Sequence, residues 1–199
     1  MNSAELLEKY KNVYIKNFLP LETCKFLTNI LLRNKSIYPN ITDTQVSDSY
    51  YLRHSDVGDT LLERMWDTVE EIVGEELIPT YSFARLYENG HVLPPHIDRP
   101  ACEISLTIQL GRSHHYSYPI YMGDYRVDLA EGDAIVYKGR EIQHYRNKCD
   151  GPENYYSGQI FLHYVKANGQ YSDHGCDAHF RSIVKDMFVK NRSFLMDYK

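Results

Sequence analysis

The chain has 199 residues, 43% of them hydrophobic, and a net charge of -5, which is long enough for one domain with a proper core. The acidic balance and a pI near 6.0 speak against a polyanion-binding face, so no nucleic-acid partner is expected. Residues Met1 to Lys9 carry acids where a signal peptide needs an apolar run, and no stretch approaches the ~18 apolar residues of a membrane span, so the reading is cytoplasmic with no membrane partner.

The predicted elements begin with Asn17-Phe18-Leu19-Pro20, a turn into a helix over Leu21 to Leu32, where Cys24, Leu27, Ile30 and Leu31 recur at helical spacing. A second helix is predicted from about Val57 to Glu76, with Leu61, Leu62, Met65, Trp66, Val69, Ile72 and Val73 on one face and Asp56 or Asp59 as its cap. From Tyr81 the texture changes to short strand-like runs between Gly, Pro, Asp and Asn: Ser82–Tyr87, Glu103–Leu110, Tyr118–Met122, Ala134–Tyr137 and Gln159–Val165. The 18 tyrosines suit half-buried sheet faces. The tail returns to helix at about Asp177 to Val189, with Phe180, Ile183, Val184 and Met187 on its inward stripe. The expected organisation is a single domain over 1–199, with a helical part at about 1–80, a β core at about 81–166 and a C-terminal helix at about 177–189. Its class is mainly β with flanking α-helices, either a sandwich or a double-stranded β-helix, the jelly roll of cupin-like proteins.

The segment Tyr87 to Asp98, YENGHVLPPHID, carries the chemistry. Residues i and i+2 of an extended strand point the same way, so His96 and Asp98 can grip one ion together. A third ligand would complete the two-histidine, one-carboxylate face that leaves three adjacent positions open on Fe(II). His144 is the best third ligand, because Gly132-Asp133-Ala134-Ile135-Val136-Tyr137-Lys138-Gly139 forms a turn, an apolar strand and a second turn ahead of it. Pro94 and Pro95 hold the backbone extended before His96. A lone HxD says little, and His54-Ser55-Asp56 is a second one. That copy precedes a predicted helix, where Asp56 has an ordinary place as a cap, and it is not expected to bind metal.

The ordered set Tyr87-x-x-Gly90-x-x-x-x-x-His96-x-Asp98, then Gly132-Asp133-Ala134 before His144, after an Asn17-Phe18-Leu19-Pro20 helix entry, resembles the Fe(II)- and 2-oxoglutarate-dependent dioxygenases, in particular the prolyl-4-hydroxylase-like branch. The likeness runs from about residue 13 to 165. It implies a double-stranded β-helix core, Fe(II), 2-oxoglutarate and O2, hydroxylation of an aliphatic C–H, and a Tyr87 hydroxyl on the distal carboxylate of 2-oxoglutarate. A carboxylate ligand at Asp98 implies hydroxylation rather than halogenation. The branch points to a prolyl residue, free proline or another amino-acid-like compound as substrate, hence a small-molecule or peptide partner. A peptide would lie across Asp43 to Asp56 and Gly111 to Pro119.

One departure stands out. The family places an Arg or Lys after the distal histidine, in a Gly-x-Arg/Lys setting, to pair with that carboxylate, whereas Tyr155 to Val165 here reads YYSGQIFLHYV. Arg146 heads the replacements, being two residues beyond His144 and bearing a planar guanidinium suited to a carboxylate. Arg85, two residues before Tyr87 on the same strand face, comes next, followed by Arg112, Gln159 and His163. An exposed loop cation is the ordinary alternative for Arg146, and a hydrogen-bonded inner pair for Gln159 and His163.

Other features carry less. His114-His115 reads as a polar loop beside tyrosines, and His174, Cys176 and His179 lack zinc-site spacing. Cys24, Cys102, Cys149 and Cys176 form no C-x-x-C pair and read as reduced thiols. Two rival functions remain: a cupin-like metalloenzyme without 2-oxoglutarate, which needs neither Tyr87 nor a cation, and a non-catalytic jelly-roll binding module.

Overall fold

A computed structural model describes residues 1–39 and 42–175; the C-terminal helix expected at 177–189, together with Cys176 and His179, lies outside them. Helix α1 (Ser3–Tyr10) starts at a capping box, in which Asn2 accepts from the Glu5 amide and Glu5 accepts from the Asn2 amide, both at 2.9 Å. Strand β1 (Asn12–Ile15) follows, then α2 (Leu21–Ile37) with Cys24, Leu27 and Leu31 on its buried face. After β2 (Tyr50–Arg53), the predicted second helix is two, α3 (Asp56–Arg64) and α4 (Trp66–Val73), parting at Met65. The Trp66 indole donates to the Leu77 carbonyl at 2.9 Å, which ties α4 to the start of β3. The cap is Ser55, whose hydroxyl accepts from the Gly58 amide at 3.1 Å, in place of Asp56 or Asp59. Asp59 instead accepts from the Ser82 hydroxyl at 2.6 Å.

The remaining strands are β3 (Leu77–Glu88), β4 (Leu93–His96), β5 (Ile104–Arg112), β6 (Ile120–Met122), β7 (Tyr125–Val127), β8 (Ala134–Lys138), β9 (His144–Arg146) and β10 (Tyr156–Lys166). They form two antiparallel sheets, ordered β1-β8-β5-β10-β3-β2 and β4-β9-β6-β7. This is the jelly-roll, double-stranded β-helix class expected from the short strands. Two strands, β1 and β2, come from the part read as helical; four residues each, they are too short for alternation to show in sequence. Helix α2 lies on the outer side of the larger sheet, where Leu27 and Leu31 join Leu86, Leu110 and Ile160 in the main core. The inner face carries Tyr81, Phe83, Arg85 and Tyr87 of β3 opposite His163, Phe161, Gln159 and Ser157 of β10.

The Gly132-Asp133-Ala134 stretch has a structural task. The Asp133 carboxylate accepts from the Asn17 amide at 2.9 Å, the Ala130 amide at 3.1 Å and the Tyr14 hydroxyl, binding the N-terminal segment to the turn before β8. Gly132 has φ +86°, and a Cβ there would lie 2.6 Å from the Leu19 carbonyl oxygen. Gly132→Ala is therefore expected to lower stability by at least about 1 kcal/mol, through the positive φ and the clash together. Urea unfolding checks this: the midpoint should fall with the slope unchanged.

Candidate metal centre

Strand β4 pairs antiparallel with β9 so that His96 and His144 are direct cross-strand partners. Such partners project to one face, and here the ring centroids are 4.2 Å apart. Asp98, two residues on, brings Oδ1 to 3.6 Å from His96 Nε2 and 3.4 Å from His144 Nε2. One ligand atom from each of the three lies within 4.8 Å of the others. The donor set, two imidazoles and one carboxylate on one side, fits a divalent iron with an open face. His54 joins no such group among the described residues; its Nδ1 lies 3.9 Å from Asp59 Oδ2.

Asp98 is the most constrained of the three. Its amide donates to the Gly139 carbonyl at 2.8 Å, its carbonyl accepts from Arg140 Nη1 at 2.6 Å, and its Oδ2 accepts from the Ser105 hydroxyl at 3.0 Å. Burial works against ionisation, but the hydrogen bonds from His144 and His96 outweigh it and hold the carboxyl well below the usual carboxylate range. For His96, burial is likewise outweighed, by Asp98 and the Pro94 carbonyl, and its pKa rises. Gly139 is a site residue that the sequence reading passed over as a turn. A Cβ there would collide with the Asp98 carboxylate and the Cys102 carbonyl. Gly139→Ala should weaken Fe(II) binding at least tenfold while circular dichroism stays unchanged; equal affinity in competition with a metallochromic dye would contradict this role.

The three residues border a cavity of about 170 Å³ between the sheets, lined also by Tyr81, Phe83, Arg85, Leu93, Ile120, Tyr137, Phe161 and His163, with Asp43 and Gln45 from the segment before β2. Along β3 the lining runs from Tyr81 to Arg85, four residues or roughly 13 Å of strand. At the Arg85 end, Nη1 donates to the Tyr87 hydroxyl at 3.1 Å and Nη2 donates to Asp43 and, at 3.1 Å, to Gln45. Arg85 is close enough to His96 to oppose its protonation.

The other candidate anchors sit differently. Arg146 is buried beneath the site rather than in its wall: its guanidinium lies 5.1 Å from the Tyr87 ring and 5.2 Å from that of Tyr118, and Nη1 donates to the Tyr118 carbonyl. Gln159 donates to Gln109 and Ser157 in a buried side-chain network, with no place in the cavity lining. Arg112 donates to the carbonyls of Leu129 and Tyr116 and, with His114 and His115, borders a separate surface hollow. His163 does line the cavity, at the end opposite Arg85. Its Nδ1 lies 2.9 Å from the Ser105 hydroxyl, and with Cys102 it forms a second cluster that shares Asp98. Cys24, Cys102 and Cys149 are buried, with Cys102 Sγ 3.1 Å from the Tyr81 hydroxyl.

No known family profile and no curated protein matches the chain in sequence. Solved structures do match in shape. A Pseudomonas putida prolyl-4-hydroxylase superposes with a TM-score of 0.63 at 14% identity, over 82% of this chain and 97% of that one. SnoN, a non-haem α-ketoglutarate-dependent epimerase of nogalamycin biosynthesis, gives 0.65 at 14% identity, over 82% and 81%. EctD from S. alaskensis, also solved with 2-oxoglutarate and 5-hydroxyectoine, gives 0.66 in its apo form at 14% identity, over 89% and 81%. The chain has the fold of the Fe(II)- and 2-oxoglutarate-dependent oxygenases. No helix among the described residues of this oxygenase fold is long and apolar enough to cross a membrane.

Folding also sets the charge of His163. Burial first, with Arg99 and Arg53 adding to it against the pull of Asp98, pushes its pKa down to about 4. An unfolded histidine takes up a proton near pH 6.5, as is ordinary for the side chain. Between those values the unfolded state binds more protons than the folded one, so stability falls as pH drops through that window. In metal-free protein, the fall in urea midpoint from pH 7 to pH 4.5 should be smaller in His163→Gln than in wild type; equal falls would remove His163 as the cause.

Proposed function

We propose that the protein is an Fe(II)- and 2-oxoglutarate-dependent dioxygenase that hydroxylates an aliphatic C–H of an amino-acid-like or prolyl substrate. The supporting observation is the convergence of His96, Asp98 and His144 on a cavity between the sheets that is also lined by the Arg85 guanidinium, itself hydrogen-bonded to the Tyr87 hydroxyl. Bound iron would supply the oxidising chemistry, with O2 and 2-oxoglutarate consumed and CO2 and succinate released.

In this reading Arg85 and Tyr87 receive the distal carboxylate of 2-oxoglutarate. Arg85 is favoured over Arg146 because it lines the cavity and already donates to the Tyr87 hydroxyl, whereas Arg146 supports Tyr87 from behind through its ring. Asp43 and Gln45 fix the direction of the Arg85 fork. Ser105 and Arg140 orient Asp98, and Phe83, Leu93, Ile120 and Phe161 keep water from the reacting groups. An amino-acid-like compound suits the small volume, and a carboxylate ligand at Asp98 favours hydroxylation over halogenation. The ion pair that Arg85 makes with Asp43 favours a second reading, a metalloenzyme of the same fold that does not use 2-oxoglutarate.

Anaerobic titration with Fe(II) and then 2-oxoglutarate, followed through the weak visible charge-transfer band, separates the two. The band should form in wild type and in His54→Ala and be lost in His96→Ala. Removing a charged hydrogen-bonding partner costs about 2 kcal/mol, roughly 30-fold in affinity. Arg85→Ala should therefore weaken 2-oxoglutarate by about that factor, and Tyr87→Phe by less. Iron binding without the band would favour the second reading, and a larger loss in Arg146→Ala than in Arg85→Ala would move the anchor to Arg146.

A further inference from the structure

We propose that Cys102 and Tyr81 are a modification site: iron and O2 at the neighbouring centre join them through a thioether, closing the segment that carries two candidate metal ligands into a covalent loop. The proposal rests on the oxygenase reading for its iron and O2 and adds a reaction of the chain with itself.

Cys102 Sγ lies 3.1 Å from the Tyr81 hydroxyl, and the two side chains are buried, at 3% and 8% exposure. The sulfur therefore meets the ring at its hydroxyl end, on the side of the carbons ortho to the oxygen. Tyr81 lines the cavity together with His96, Asp98 and His144. Cys102 Sγ forms a cluster with a carboxylate oxygen of Asp98 and a ring nitrogen of His163, all within 4.8 Å of one another. One partner thus borders the space that O2 would enter, and the other stands beside a candidate ligand of the iron.

Both partners are held in place. The Tyr81 ring is packed against the His163 ring at 4.5 Å, and the guanidiniums of Arg53 and Arg99 lie 4.7 and 4.5 Å from its centroid. Cys102 ends the short turn Pro100–Cys102. That turn is pinned to β3 by the Thr80 hydroxyl, which donates to the Ala101 carbonyl at 2.8 Å, and to β5 by the Ser105 hydroxyl, which donates to the Cys102 carbonyl at 3.2 Å. Reacting groups fixed in contact lose little further freedom on joining.

Oxidation of a phenol puts radical character on its ortho carbons, where a thiol sulfur couples. The Cys102 S–H bond and one ortho C–H bond of Tyr81 break, a C–S bond forms, and the two protons and two electrons pass to O2 to give hydrogen peroxide. The partners are 21 residues apart, and the chain between them contains Tyr87, His96 and Asp98. A cross-link there restricts the unfolded chain and keeps the ligand-bearing segment closed. A thiol is a weak hydrogen-bonding group, so the unlinked contact contributes little of this.

Intact-mass measurement of the full chain, purified without oxygen and then given Fe(II) and O2 with or without 2-oxoglutarate, tests the proposal. Wild type should lose the mass of two hydrogens in at least one of these mixtures and keep its mass when a chelator replaces iron. The loss should survive dithiothreitol, which would reverse a disulfide, and proteolysis should yield one linked species containing Tyr81 and Cys102. Cys102→Ser and Tyr81→Phe should each keep their full mass, and the urea midpoint of wild type alone should rise with the treatment. An unchanged mass, a loss reversed by dithiothreitol or persisting in Cys102→Ser, or oxygen added in place of hydrogen lost would each overturn the proposal. The charge-transfer band reports separately on the proposed function: a band without the mass loss sinks only the thioether, and the mass loss without a band sinks only the use of 2-oxoglutarate.

Discussion

His96 and His144 face each other across a two-strand pair, and the side-chain direction of a strand reverses at every residue. A slip of one residue between β4 and β9 would turn one imidazole out of the cavity, so the convergence of the candidate ligands depends on register before it depends on their chemistry. Two features hold that register. Behind β9, the turn at 138–140 grips the backbone on both sides of Asp98. At the far end of the pair, Leu93 opposes Arg146, whose guanidinium lies against Tyr87 of the larger sheet and against Tyr118, so this buried side chain touches both sheets.

The electrostatics follow from the same layout. The inner faces enclose Arg85, Arg146, Asp98 and several histidines in a space that water would otherwise fill, and a buried charge is tolerated only where partners are near. Asp98 has five, counting its backbone contacts: His96, His144, Ser105, Gly139 and Arg140. Arg85 has Asp43 and Gln45 on one side and Tyr87 on the other. The cavity consequently has a polar end at Arg85, the cluster of His96, Asp98 and His144, and an end formed by Tyr81 and His163, with apolar side chains between.

Much of this was legible in the chain. His96 and Asp98 at a spacing of two, behind two prolines, announce two neighbouring donors, although β4 stops at His96 and Asp98 is held beyond it by the Gly139 carbonyl; the turn-strand-turn before His144 is continuous in sequence. The competing His54-Ser55-Asp56 was separable because a helix follows it, even though Ser55 rather than Asp56 does the capping. Other features depend on register across long separations. Arg85 stands two residues from Tyr87 and Arg146 two residues from His144, and only the pairing of the sheets shows that one enters the cavity while the other packs beneath it. Gly139 looks like any turn glycine until Asp98 is placed against it. Arg53 and Arg99 are 46 positions apart in the numbering, and nothing local to either points to a shared tyrosine.

Strand β4 forms an outer edge of the smaller sheet, ends at His96 and is exposed at Pro94 and Pro95. An edge of that kind ordinarily invites another extended chain to pair with it. Here two of its four residues, Leu93 to His96, are prolines without an amide hydrogen. A peptide cannot zip onto this rim through a backbone ladder, and neither can a second molecule in a crowded or partly unfolded state. A chain approaching along β4 would therefore have to be held by its side groups, and the prolines that straighten this strand also guard its edge against pairing with another molecule.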